Sequence, residues 1–108
     1  MENILTQVKR NQEGYLLNLT DWQPTVAKAI AIEEGIQLTK DHWEIIYTMR
    51  EFYAEYHTSP SMRALLNILA NKLDKEKANS IFLHKLFPKG PAKQANKIAG
   101  LPKPIRCI

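Results

Sequence analysis

Met62, Leu65, Leu66, Leu69 and Leu73 recur at steps of three and four residues directly behind Ser59-Pro60. That spacing puts five large apolar side chains on one stripe of an α-helix. Ser-Pro supplies the start, with the serine as cap and the proline at the first helical position. Such a stripe must be covered, so the chain is expected to fold as helices around a shared core. Its 108 residues have room for one core and not two. With 44% apolar and 24% charged residues, disorder over most of the length is excluded.

The flanking segments read as further helices. Thr20 or Asp21 can cap one that has Pro24 near its start and Gly35 just past its end. Thr39 caps the next, from about Lys40 to His57. There Trp43, Ile46, Tyr47, Arg50, Tyr53 and His57 share one stripe beside Ile45, Met49, Phe52 and Tyr56. Two adjoining apolar stripes mark it as the expected central helix. Asn79 or Ser80 caps a short helix with Ile81, Phe82, Leu86 and Phe87, broken by Pro88 and Gly90-Pro91. Ala92 to Ala99 makes one more, ended by Gly100. At the N-terminus, Ile4 to Val8 is β-prone, Asn11 to Gly14 has turn chemistry, and Tyr15-Leu16-Leu17 can return as a second strand.

The expected class is therefore mainly α (α+β): an N-terminal β-hairpin on about five short helices, with an extended C-terminal arm. Residues 1–100 form a single globular domain and 101–108 a flexible arm. Repeats and low-complexity segments are absent from the sequence.

Several chemistries find no support. His42, His57 and His84 lack the spacing of paired metal ligands, and no cysteine backs them, so no metal site is expected. The glycines read as turns and caps and not as a phosphate loop, and no cofactor is expected. Thr58 to Phe87 has the outline of a helix-turn-helix, but its second helix offers only Asn79, Ser80, His84 and Lys85 to a groove, and reads as scaffold. No apolar run approaches the ~18 residues of a membrane span. The stretch MENILTQVKR lacks the apolar core of a signal peptide, so a cytoplasmic location, without a membrane partner, is expected.

Charge is uneven. Residues 1–88 are close to neutral, whereas Lys89, Lys93, Lys97, Lys103 and Arg106 stand in a final stretch without a single acid. Two readings stand: an arm that meets an anionic partner, or an end kept soluble by its cations. The single cysteine, Cys107, is penultimate. Lys103 and Arg106 lie near enough to favour its thiolate. Pro102 and Pro104 stiffen the approach, and from Leu101 the arm would reach roughly 20 Å. A thiol on such an arm suits hand-over of sulfur or acyl groups between proteins; the alternative is an incidental cysteine.

The run Leu86-Phe87-Pro88-Lys89-Gly90-Pro91-Ala92-Lys93-Gln94-Ala95, continuing Lys97-Ile98-Ala99-Gly100-Leu101-Pro102-Lys103-Pro104 to Cys107-Ile108, resembles the TusE/DsrC family of small sulfur carriers. The likeness extends upstream through Glu13-Gly14-Tyr15-Leu16, Glu34-Gly35-Ile36, His42-Trp43, Phe52-Tyr53 and Thr58-Ser59-Pro60 with Arg63. It implies a sulfurtransferase whose Cys107 carries sulfane sulfur as a persulfide. Lys89, Lys93, Lys97, Lys103 and Arg106 would position the arm or meet the partner. Members that serve sulfite reductase carry a second cysteine where this chain has Asn96, so the resemblance points to the TusE type. That type implies a TusBCD-type donor complex and, as acceptor, an MnmA-type thiouridylase with bound tRNA, for wobble-uridine 2-thiolation. The competing readings are a helix-turn-helix-like nucleic-acid-binding module and a regulatory subunit linked to sulfite reductase.

Overall fold

In the computed structural model the described residues are 4–72, 76 and 78–104. They form five α-helices: α1 (Pro24–Glu33), α2 (Lys40–Tyr56), α3 (Met62–Lys72), α4 (Ser80–Leu86) and α5 (Pro91–Ile98).

The expected N-terminal β-hairpin is not there. Among the described residues there is no strand; Arg10 and Leu16 make a lone antiparallel bridge. Ile4–Gln7 coils into a 3₁₀ turn that seats buried Leu5 near α1. The Asn11 carboxamide accepts the backbone N–H groups of Glu13 and Tyr15, at 2.9 and 3.0 Å. This side chain closes a tight loop, and the chain beyond Leu17 turns at once into a second 3₁₀ turn, Leu19–Asp21, so pairing has no length over which to extend.

Local chemistry sets the helix ends. Pro24 and Pro91 occupy first-turn positions. Gln23, rather than Thr20 or Asp21, is the N-cap of α1. At α2, Thr39 donates its N–H to Nδ1 of His42 at 3.0 Å, and His42 Nε2 reaches the Leu86 carbonyl at 2.8 Å, tying α2 to the end of α4. Asn79 caps α4 by accepting from Ile81 and Phe82. α3 starts two residues later than Ser59-Pro60 implies. Ser61 Oγ accepts from the Ala64 N–H, Pro60 is buried in the preceding loop, and Leu65 and Leu69 are fully covered. Leu73 lies outside the described residues.

α5, and not α2, is the hub. It packs against α1, α2, α3 and α4, and six of its eight residues are buried. Ala92, Ala95 and Ala99 present small surfaces that let neighbours approach closely, beside Ile98, Phe87 and Leu83 in the core. A wide apolar stripe reports how much surface a helix covers; small side chains permit close contact on several sides, which is why α5 reads weakly in the sequence.

Candidate functional site

The chain leaves α5 through a tight turn at its C-terminal end. Gly100 N donates to the Lys97 carbonyl at 3.2 Å and Leu101 N to the Asn96 carbonyl at 2.9 Å, a Schellman turn with Gly100 at φ +74°. Leu101, the residue after the glycine, is buried, the apolar contact that often accompanies this motif.

Two side chains from distant elements seize what this turn leaves over. Trp22 donates its indole N–H to the Ile98 carbonyl at 2.9 Å, and Arg50 of α2 donates Nη1 to the Ala99 carbonyl at 2.6 Å. The Arg50 guanidinium lies 4.0 Å from the centroid of the Trp22 ring. Burial pulls the Arg50 pKa below the ordinary arginine value, with the Tyr47 hydroxyl acting in the opposite sense. Tyr47 meets Trp22 edge-on and stacks with Trp43, bracing the indole. A Cβ at Gly100 would overlap the Trp22 ring, standing 2.7 Å from Cγ.

The next residues stay on the body. Ser59 Oγ donates to the Pro102 carbonyl, Lys103 Nζ lies 3.0 Å from Glu13 Oε2, and Pro104 is buried. Asn96, fully buried, donates Nδ2 to the Pro60 carbonyl at 3.0 Å and the Ala92 carbonyl at 2.7 Å. It thereby locks α5 to the loop that also holds Pro102.

The cations named from sequence divide into two groups. Lys97 is half-buried, 3.5 Å from Glu34 Oε2, with its ammonium over the Tyr15 ring. Lys103 is exposed and held by Glu13. Lys89 and Lys93 are exposed and pair with no carboxylate among the described residues. They stand between two shallow grooves of about 270 and 170 Å³ at the start of α5; His84, Met62 and Pro91 help line the larger. Arg106 and Cys107 lie outside the described residues.

Sequence reasoning missed Trp22, Arg50, Ser59 and the buried Asn96 amide as elements of this region. Only Gly100 carried a signal, as a helix terminator. Its contact with Trp22 joins residues far apart in the chain, and no local pattern encodes it.

Residues 4–108 match the family model described as DsrC like protein. The chain is 55% identical over 102 residues to the sulfurtransferase TusE of Salmonella choleraesuis (strain SC-B67), covering 94% of each. It is 52% identical over 101 residues to the sulfurtransferase TusE of Yersinia pestis, covering 94% of this chain and 93% of that one. Among solved structures it is similar to Allochromatium vinosum DsrC, with TM-score 0.86 and 50% identity over 94% of this chain and 90% of that one. It is also similar to the oxidized gamma-subunit of dissimilatory sulfite reductase (DsrC) from Archaeoglobus fulgidus, with TM-score 0.81 and 35% identity over 94% and 92%.

Proposed function

The chain belongs to the DsrC-like family, and we propose that within it this protein is a sulfurtransferase of the TusE type, receiving sulfane sulfur on Cys107 and passing it on. The observation that carries the reading is the 55% identity, over nearly the full length of both chains, to a sulfurtransferase of that name. The chemistry available agrees with it. Cys107 is the sole thiol, and a buried amide stands at position 96, so the arm cannot close a disulfide on itself. That disfavours the role of a two-thiol subunit of sulfite reductase.

The reaction is a pair of thiol exchanges. The Cys107 thiolate attacks the terminal sulfur of a donor persulfide; the donor's S–S bond breaks, its thiolate leaves, and a new S–S bond forms on Cys107. An acceptor thiolate then attacks that terminal sulfur and expels the Cys107 thiolate. Sulfane sulfur changes hands with no net oxidation, so no redox cofactor is called for. Arg106 lies next to Cys107 in sequence and favours the anionic forms, whereas Lys103 is already paired with Glu13.

Leu101 to Pro104 lie against the body, which shortens the reach. Two residues separate Pro104 from Cys107, so three Cα–Cα steps span at most ~11 Å, against the roughly 20 Å counted from Leu101. The partner's thiol must therefore come to the body surface. The exposed pair Lys89 and Lys93 is the cationic surface on that body best suited to an anionic partner. A TusBCD-type complex as donor and an MnmA-type thiouridylase with bound tRNA as acceptor fit this scheme, as does a cytoplasmic setting.

The test is a reconstituted relay: desulfurase, cysteine, donor complex, this protein, the thiouridylase, ATP and unmodified tRNA. The expected product is 2-thiouridine, formed with the wild-type chain and not with Cys107→Ser. Equal 2-thiouridine with both would overturn the reading.

A further inference from the structure

Two helices of this protein end in the same turn, and only one of the two ends is clamped. At α1, Gly35 N donates to the Ile32 carbonyl at 3.1 Å and Ile36 N to the Ala31 carbonyl at 2.8 Å, with Gly35 at φ +75°. At α5 the pattern repeats with Gly100 and Leu101. A Cβ on Gly35 would meet nothing within 4 Å, whereas one on Gly100 would strike Trp22. A Schellman turn thus ends a helix here without help, and the extra contacts at α5 are not needed for termination. They carry a penalty too: the part-buried Arg50 guanidinium answers a neutral carbonyl and pairs with no carboxylate among the described residues.

We propose that Trp22 and Arg50 are positioning residues for sulfur transfer: by gripping the Ile98 and Ala99 carbonyls they fix the direction in which the chain leaves α5, and so bring Cys107 to the thiol of a docked partner. The proposal rests on the carrier reading of Cys107. A change at Gly100 would shift where Leu101 to Pro104 lie on the body, and the ~11 Å of chain beyond Pro104 limits how far the thiol can reach to compensate. The contacts at Ser59 and Glu13 guide the path further on, but each acts after the exit angle has been set at Ala99 and Gly100. Positioning of this kind acts on the exchange step and leaves intact both the chemistry of the thiol and the surface on which the partner docks.

The test compares the wild type with Trp22→Phe, Arg50→Met and Arg50→Lys, each first checked for helical content. All are loaded with inorganic polysulfide, then offered either dithiothreitol or the MnmA-type thiouridylase with tRNA. Loading and transfer to dithiothreitol should match the wild type in every variant. Transfer to the protein acceptor should fall about tenfold in kcat for Trp22→Phe and Arg50→Met with KM unchanged. Arg50→Lys, which keeps a cationic donor, should recover most of the loss. Unchanged kcat in folded Trp22→Phe and Arg50→Met, or an equal loss with both acceptors, would overturn the proposal.

A partner-free readout separates this from failure of the carrier reading. A nitroxide attached at Cys107, the sole cysteine, broadens nearby amide signals, and the clamp variants should change which amides are broadened. The same pattern in wild type and variants would overturn the positioning role even if the wild type neither loads nor transfers sulfur.

Discussion

The ends of α1 and α5 share a backbone turn and differ in what surrounds it. Gly35 faces open space, while Gly100 lies under the indole of Trp22 with Arg50 and Ile98 beside it. Both helices need a left-handed residue to stop; only the second must also aim the segment beyond it. A terminating glycine can thus serve two roles, and the second is visible only in its neighbours.

Substitution of the two glycines breaks this comparison most sharply. Gly100→Ala combines left-handed strain with overlap against Trp22 and should destabilise by about 3 kcal/mol, read by urea unfolding. Gly35→Ala meets the strain alone and should lose about 1 kcal/mol. Equal losses would remove the distinction between the two ends. Between these lies Arg50→Met, which strands the Ala99 carbonyl and strips the cation from Trp22. A loss of about 1–2 kcal/mol is expected in the same assay.

Both ends of α5 carry a lysine, but the helix dipole favours only the one in the last turn, Lys97, which yields a smaller effect of opposite sign. Lys93 sits in the first turn, where the helix dipole disfavours a cation. Lys93→Gln should therefore stabilise the fold by a few tenths of a kcal/mol in thermal unfolding, while slowing transfer to an anionic partner protein. A gain in stability with unchanged transfer would leave Lys93 without a role at the docking surface.

The smallest effect concerns the tie between the N-terminal loop and α1. Arg10 makes a two-pronged contact with Glu33, at 2.7 and 3.1 Å, and this hydrogen bonding holds the Glu33 carboxyl below its usual pKa of 4.5. A lowered folded pKa adds stability above the unfolded value, which is lost as pH falls through the folded one. Acidification below pH 4.5 should thus loosen this tie. The pair is largely solvent-facing, so Glu33→Gln should flatten the acid limb of the stability curve by only a few tenths of a kcal/mol.

The parts of the fold legible in the sequence are those that short-range chemistry dictates. Pro24 and Pro91 open helices, Gly35 and Gly100 close them, Asn79 caps α4, and the leucines of α3 face the core. The hairpin expectation failed because Asn11 closes a tight loop and the returning chain pairs only around the Arg10–Leu16 bridge before turning into Leu19–Asp21. Ser59 looked like a cap, but Ser61 holds that place, and Ser59 instead grips the Pro102 carbonyl. α5 looked minor because alanines give little hydrophobic signal, yet they let four helices meet around it. The clamp was illegible for a further reason: Trp22 and Arg50 meet Ile98 and Ala99 across more than forty residues of sequence. Cys107 was named from the sequence, together with the five cations, of which Lys97 and Lys103 proved to be ion-paired.

Whether Cys107 carries sulfur is read from the intact mass of the protein after incubation with a desulfurase, cysteine and a loaded upstream donor. The wild type should gain one sulfur atom that reductant removes, and Cys107→Ser should gain none. A wild type that stays unmodified beside a loaded donor, or a Cys107→Ser protein that still takes up sulfur, would contradict it.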